Sequence, residues 1–313
     1  MRSVILAVML PFQALAQSGD TPSAADRYAA ACKAEVGPLP AFSCADGVPV
    51  PILVNGQVPD AYVPQMTCDR PGLLSNDIGL SNPPSDGQCV PHSRILDLST
   101  PEMQVSVMCR QKRIRAADSM DFDEIDVIAH NPGTGATCWF MARGEPVDGS
   151  RVPAPTDGLQ GVWSPPEDVV ADGCGSCHDN DPFMYSPFVG QVWGHVPTNP
   201  LGLYYHVDAG VGFADWPATQ IAPRDSTCTG CHRIGVAETC NSLTRLMTGK
   251  TPPEGADPLA LAWPLSHAMP PEHGLSPAAW SVTHAASADA LLACCANPDM
   301  PQCNASQIPG ARP

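Results

Sequence analysis

Cys174-Gly175-Ser176-Cys177-His178 and Cys228-Thr229-Gly230-Cys231-His232 are two copies of one short pattern, and the rest of the chain is read outward from them. C-x-x-C-H is the attachment signature of a c-type haem. Two thiols three positions apart can each form a thioether to one porphyrin edge. The histidine that follows then stands under the iron as its proximal ligand. The small residues between the cysteines leave the macrocycle free to lie against the backbone. Paired cysteines also build structural zinc sites, thioredoxin-like redox pairs and ordinary disulfides. A zinc ribbon, however, spaces its pairs more closely than positions 174 and 228. A redox pair follows a strand and opens a helix in a βαβ unit. Neither requires a histidine directly after the second cysteine, here twice.

On these motifs the C-terminal half resembles the dihaem c-type cytochromes. The resemblance implies two covalently attached haems c, with Cys174, Cys177, Cys228 and Cys231 as attachment residues and His178 and His232 as proximal ligands. It implies electron transfer between periplasmic partners, and it leaves the N-terminal half unassigned. Two alternatives come from other classes. One is an enzyme similar to the dihaem peroxidases, with one electron-storing haem and one open distal site. The other is a sensor or binding module whose haems report redox state.

The sixth ligand of each iron matters, because methionine raises the potential relative to histidine and an open position admits ligands. Ser266-His267-Ala268-Met269-Pro270-Pro271-Glu272-His273 is the best source for the second haem. Met269 before a proline resembles the loop that presents the distal methionine in single-haem cytochromes c, and His267 is the next choice. His267, Met269 and His273 also form a soft N/S set of the kind that holds copper. For the first haem His206 is preferred over His195 and His130, while Met184 follows His178 too closely to reach the other side of the ring. Trp163, Trp193, Trp216 and Tyr204 are candidates for packing on haem edges.

Residues 1–16 read as a cleaved secretory signal: Met1-Arg2-Ser3, an apolar run through Phe12, then Ala14-Leu15-Ala16. Nothing downstream approaches an 18-residue apolar run, so an exported, periplasmic or secreted chain without a membrane span is expected. The formal charge of −16 on 313 residues disfavours nucleic acid as a partner. The same acidity can steer redox partner proteins that carry basic docking surfaces. Of 14 cysteines, the ten outside the motifs suggest up to five disulfides in an oxidising compartment. Sequence order suggests Cys32–Cys44, Cys68–Cys89 and Cys109–Cys138, with Cys240, Cys294, Cys295 and Cys303 pairing among themselves.

The fold class expected is α+β: a disulfide-bonded, β-rich domain over 17–158, then a loop-rich, mainly α dihaem cytochrome c-like domain over 159–313. Thr21-Pro22 reads as the start of a helix through about Lys33. Val50–Val54 is a brief strand candidate. Gln104–Cys109, Glu124–His130 and Thr137–Ala142 read as strands, the last two joined as a hairpin by Asn131-Pro132-Gly133-Thr134-Gly135. Arg151–Gly161 reads as a polar link. Thr239–Gly249 fits a helix with Cys240, Leu243 and Met247 on one face. Ser276-Pro277 and Ser287 read as caps of two more helices, the second carrying Cys294 and Cys295. Adjacent helical residues point about 100° apart, so these two cysteines are expected to take different partners.

Overall fold

The computed structural model describes residues 22–64, 66, 68–72, 89–158, 161–248, 269 and 275–310. The proposed signal at 1–16, His267 and His273 lie outside the described residues. The fold is α+β, with helices and two sheets.

Helix α1 (Ala24–Val36) starts two residues later than the sequence suggested, because Ser23 forms a capping box with Asp26. Its buried face carries Tyr28, Ala29, Cys32 and Val36. That face packs on a six-stranded sheet with the order β1 (Val48–Pro49), β2 (Arg94–Asp97), β3 (Gln104–Arg110), β4 (Asp121–His130), β5 (Ala136–Asp148) and β6 (Tyr205–His206). The four pairings from β1 to β5 are antiparallel, and β4 and β5 are the expected hairpin. Alternation puts Val105, Val107 and Cys109, Ile125, Val127 and Ala129, and Cys138, Phe140 and Ala142 in the core beneath α1. The strand at Val50–Val54 is displaced: β1 pairs at Val48 and Pro49, and Val54 makes only an isolated bridge to Gln57.

β6 comes from the C-terminal half and pairs in parallel with the start of β5, Ala136 opposite Tyr205 and Thr137 opposite His206. Gly135 makes this join possible. It has φ +86°, and a Cβ there would stand 2.6 Å from the Leu203 carbonyl carbon. Tyr204, Phe213 and Trp216 enter the same core as Tyr28, whose ring stacks on Phe213 at 4.8 Å. Residues from both sides of position 158 therefore share one hydrophobic core. The stretch read as a polar link is stitched to the first half: Val152 bridges Phe42, Lys33 pairs with Asp157 at 2.9 Å, and Trp163 bridges Ala142.

The far end is a three-stranded sheet, β8 (Ile234–Gly235), β7 (Thr219–Ile221) and β9 (Ser306–Gln307), packed on the helical segments Thr239–Met247 and Pro277–Ala296. Cys240, Leu243 and Met247 are buried on one face, as their spacing suggested. Ser276 caps its helix by accepting from the Ala279 amide at 3.2 Å. Ser287 is not a cap. The helix runs through it by way of a wider turn at Ser281–Ala285, and its hydroxyl lies 3.1 Å from that of Thr227.

All ten cysteines outside the motifs are paired: Cys32–Cys138, Cys44–Cys109, Cys68–Cys89, Cys240–Cys295 and Cys294–Cys303. The number of bridges, Cys68–Cys89 and the separate partners of Cys294 and Cys295 agree with the sequence reading. Cys32–Cys44 and Cys109–Cys138 do not form. β4 lies between Cys109 on β3 and Cys138 on β5, opposite Ile125 and Ala129 respectively, so the two are two strand spacings apart across the sheet, roughly 10 Å, and four residues apart along it. A disulfide spans Cα atoms about 4.4–6.8 Å apart. Each strand cysteine pairs instead with a residue packed against the sheet. Five disulfides are the mark of an oxidising compartment rather than a reducing cytosol. Among the described residues no helix is long and apolar enough to cross a membrane.

Candidate haem centres

The first motif forms a single helical turn, α3 (Cys174–Cys177), following helix α2 (Pro166–Ala171). Its Gly175 lies flat against the Trp216 indole, where any Cβ would overlap the ring. The small residue expected to clear a macrocycle here clears a tryptophan. His178 is half-buried and packs against Trp139, with ring centroids 4.8 Å apart, and desolvation pushes its pKa down to about 4. Its Nδ1 lies 3.4 Å from the Asp181 carbonyl. A carbonyl only accepts, so Nδ1 donates and Nε2 keeps its lone pair. The second motif repeats this. His232 Nδ1 donates to the Arg233 carbonyl at 2.9 Å. Anchoring one ring nitrogen on a carbonyl is how proteins orient a metal-ligating imidazole.

Cys174, Cys177, Cys228 and Cys231 are free thiols. Burial, followed by Glu238 and Asp179, pushes Cys177 up to about 12. Burial, followed by Asp126 and Asp172, raises Cys174 still further. A thiol-exchange pair needs the opposite, an accessible cysteine with a depressed pKa. Nor do the four thiols converge: among the described residues no three His, Cys, Asp or Glu side chains gather into a metal-holding group.

Sequence reasoning did not find what joins the motifs. Residues within two positions of each histidine grip one another. Asn180 Nδ2 donates to the Arg233 carbonyl at 2.8 Å, and Arg233 Nε donates to the Asn180 carbonyl at 3.0 Å. Beside them the Asp179 carboxylate accepts from the Ala237 amide at 2.6 Å and from the Thr239 hydroxyl. Burial outweighs these donors and pushes Asp179 up to about 7. Tyr204 donates its hydroxyl to the His178 carbonyl at 2.7 Å, tying the first motif to the strand side. A Cβ on Gly235 would overlap the Asp179 carboxylate. Gly235→Ala is therefore expected to cost about 1–3 kcal/mol by overpacking, read as a lowered midpoint in denaturant.

Of the candidate sixth ligands, His206 lies in the same aromatic cluster as His178, both rings packing on Trp139. Trp139 Nε1 donates to its Nδ1 at 3.0 Å, and burial, then His178, pushes its pKa down to about 3. Both ring nitrogens of His130 are engaged, with Thr137 and Asn199 at 2.9 Å each. His195 is exposed. Met269 is half-buried, its amide donating to the Met247 carbonyl at 3.0 Å and its carbonyl accepting from Trp280 Nε1 at 3.2 Å.

The donor sets fit covalently attached haem. At the second motif Cys231 is exposed, His232 is half-buried, and a Cβ at Gly230 would meet nothing within 4 Å, so the space beside the thiols is open. At the first motif the donors are the same and the Trp139 indole already occupies one side of the imidazole. No protein-family model, curated protein or solved structure matches this chain.

Proposed function

We propose that this chain is an exported dihaem c-type cytochrome that passes electrons between periplasmic partners. One observation carries the proposal. Ten of the fourteen cysteines are consumed in five disulfides, and the four left over are those of the two CxxCH motifs. In an oxidising compartment a free thiol pair is kept from closing on itself when both sulfurs are committed elsewhere. Each pair is followed by a histidine whose Nδ1 is held on a backbone carbonyl. Cys174 and Cys177 would hold one haem with His178 as proximal ligand, and Cys228 and Cys231 the other with His232. Each haem supplies a one-electron ferric/ferrous couple. Met269 is the preferred sixth ligand of the second iron, with His267 next; His206 is kept for the first, where it would have to release the Trp139 indole, which now donates to Nδ1 and leaves the ring proton on Nε2. The acidic chain suits a basic redox partner.

Covalent stoichiometry is the test. Protein matured with a haem-attachment system should show two haems by intact mass, on a chain beginning near Gln17, and keep them through acid–acetone extraction. The double variant Cys228→Ala, Cys231→Ala should lose one haem and retain the other. A mature mass without added haem, or with zinc in its place, refutes the proposal.

A further inference from the structure

Arg233 is 5% exposed and lies where the two motifs meet. Its Nε donates to the Asn180 carbonyl at 3.0 Å and its Nη1 to the Gly202 carbonyl at 2.6 Å. Its Nη2 is fully buried and has no acceptor among the described residues. A guanidinium is a permanent cation with a rigid fork of donors. Leaving one buried donor unsatisfied costs on the order of the whole desolvation of that group, so such a donor marks an absent acceptor. The neighbouring groups do not supply one. Asp181 is the nearest carboxylate by its electrostatic influence, but its side chain accepts from the Phe183 amide. Asp179 is bonded to Ala237 and Thr239, Tyr204 donates its hydroxyl to the His178 carbonyl, and the ring nitrogens of His130 are taken by Thr137 and Asn199.

Resting on the dihaem reading, we propose that Arg233 is a cofactor-positioning residue whose free Nη2 takes a propionate carboxylate of one of the two haems. Carboxylate on guanidinium is the geometry this fork is built for. The other two donors fix the fork on the Asn180 carbonyl after His178 and on the Gly202 carbonyl, while the Arg233 carbonyl orients the His232 ring. One residue then registers a haem against both motifs.

The test uses the haem-loaded protein, its stoichiometry first fixed by intact mass. Ferric iron carries one more positive charge than ferrous, so a buried cation nearby raises the potential. Arg233→Gln is expected to lower the midpoint potential of one haem and to shift its propionate bending band in resonance Raman. Arg233→Lys is expected to recover the potential while the band stays shifted, because an ammonium restores the charge and not the fork. A merely structural role would leave the band unchanged in both. Absence of two haems removes the functional reading and this proposal together. Two haems with wild-type potentials and band in Arg233→Gln overturn the proposal alone. If Arg233→Gln does not fold, Arg233→Lys decides: a shifted band supports the contact, and a wild-type band overturns it.

Discussion

Cys32→Ala together with Cys138→Ala is expected to lower stability by about 4 kcal/mol. The bridge joins α1 to β5 across 106 positions, but Cys44–Cys109 is nested inside it and shortens the loop that is free in the unfolded chain to roughly 40 residues. Loop-closure entropy then gives the figure above, against about 2.5 kcal/mol for Cys294–Cys303, whose partners are nine positions apart. Denaturant unfolding of the two double variants measures the difference. The order matters more than the values. If loss of Cys294–Cys303 proves the more damaging, the chain-entropy account of these bridges is wrong.

Glu124→Ala is expected to cost about 3–5 kcal/mol, the loss found when one partner of a buried ion cluster is removed. Glu124 lies on the sheet face away from α1 and meets Arg110 at 3.3 Å, Lys112 at 2.7 Å and Arg143 at 2.8 Å. Arg143 continues to Asp172 at 2.5 Å, two residues before Cys174, so the cluster also ties the sheet to the first motif. Burial raises the Glu124 pKa, but the three cations outweigh it and hold the carboxyl down at about 2. The sign follows from that depression. Its contribution is complete above the ordinary value of 4.5 and is lost as pH falls through about 2. The stability gap between wild type and Glu124→Ala should therefore shrink by about 3 kcal/mol across that window. Asp126 works in the opposite sense. Burial and the Glu124 charge push its pKa up, so its contribution declines as pH rises above its ordinary 3.8. A gap that does not change with acid would mean that the Glu124 charge is not what holds the cluster.

The sequence by itself determined whatever is written in neighbouring residues. The hairpin of β4 and β5 follows from two alternating runs around an Asn-Pro-Gly-Thr-Gly loop, and its alternation set which side chains enter the core. α1 was legible from its alanine-rich run, with its start misplaced only by the choice between neighbouring capping residues. The two motifs are complete within five residues each, because thioether attachment and proximal ligation both need chain-local spacing. Cys68–Cys89 was found because its partners are consecutive among the cysteines of the chain.

Tertiary structure alone decided everything that depends on which elements become neighbours. Strand order placed β4 between Cys109 and Cys138 and redirected both to partners outside the sheet. Ser287 carries a cap's chemistry, yet packing against Thr227 gave it a place inside a continuous helix. The pairing of β6 with β5 brought His206, Tyr204 and Trp216 onto the sheet beside Trp139 and His178. The grip of Asn180 on Arg233 left no trace in the sequence, since a buried polar pair has neither period nor spacing. Its residues lie 53 positions apart and are matched only by the requirement that every buried donor and acceptor be satisfied.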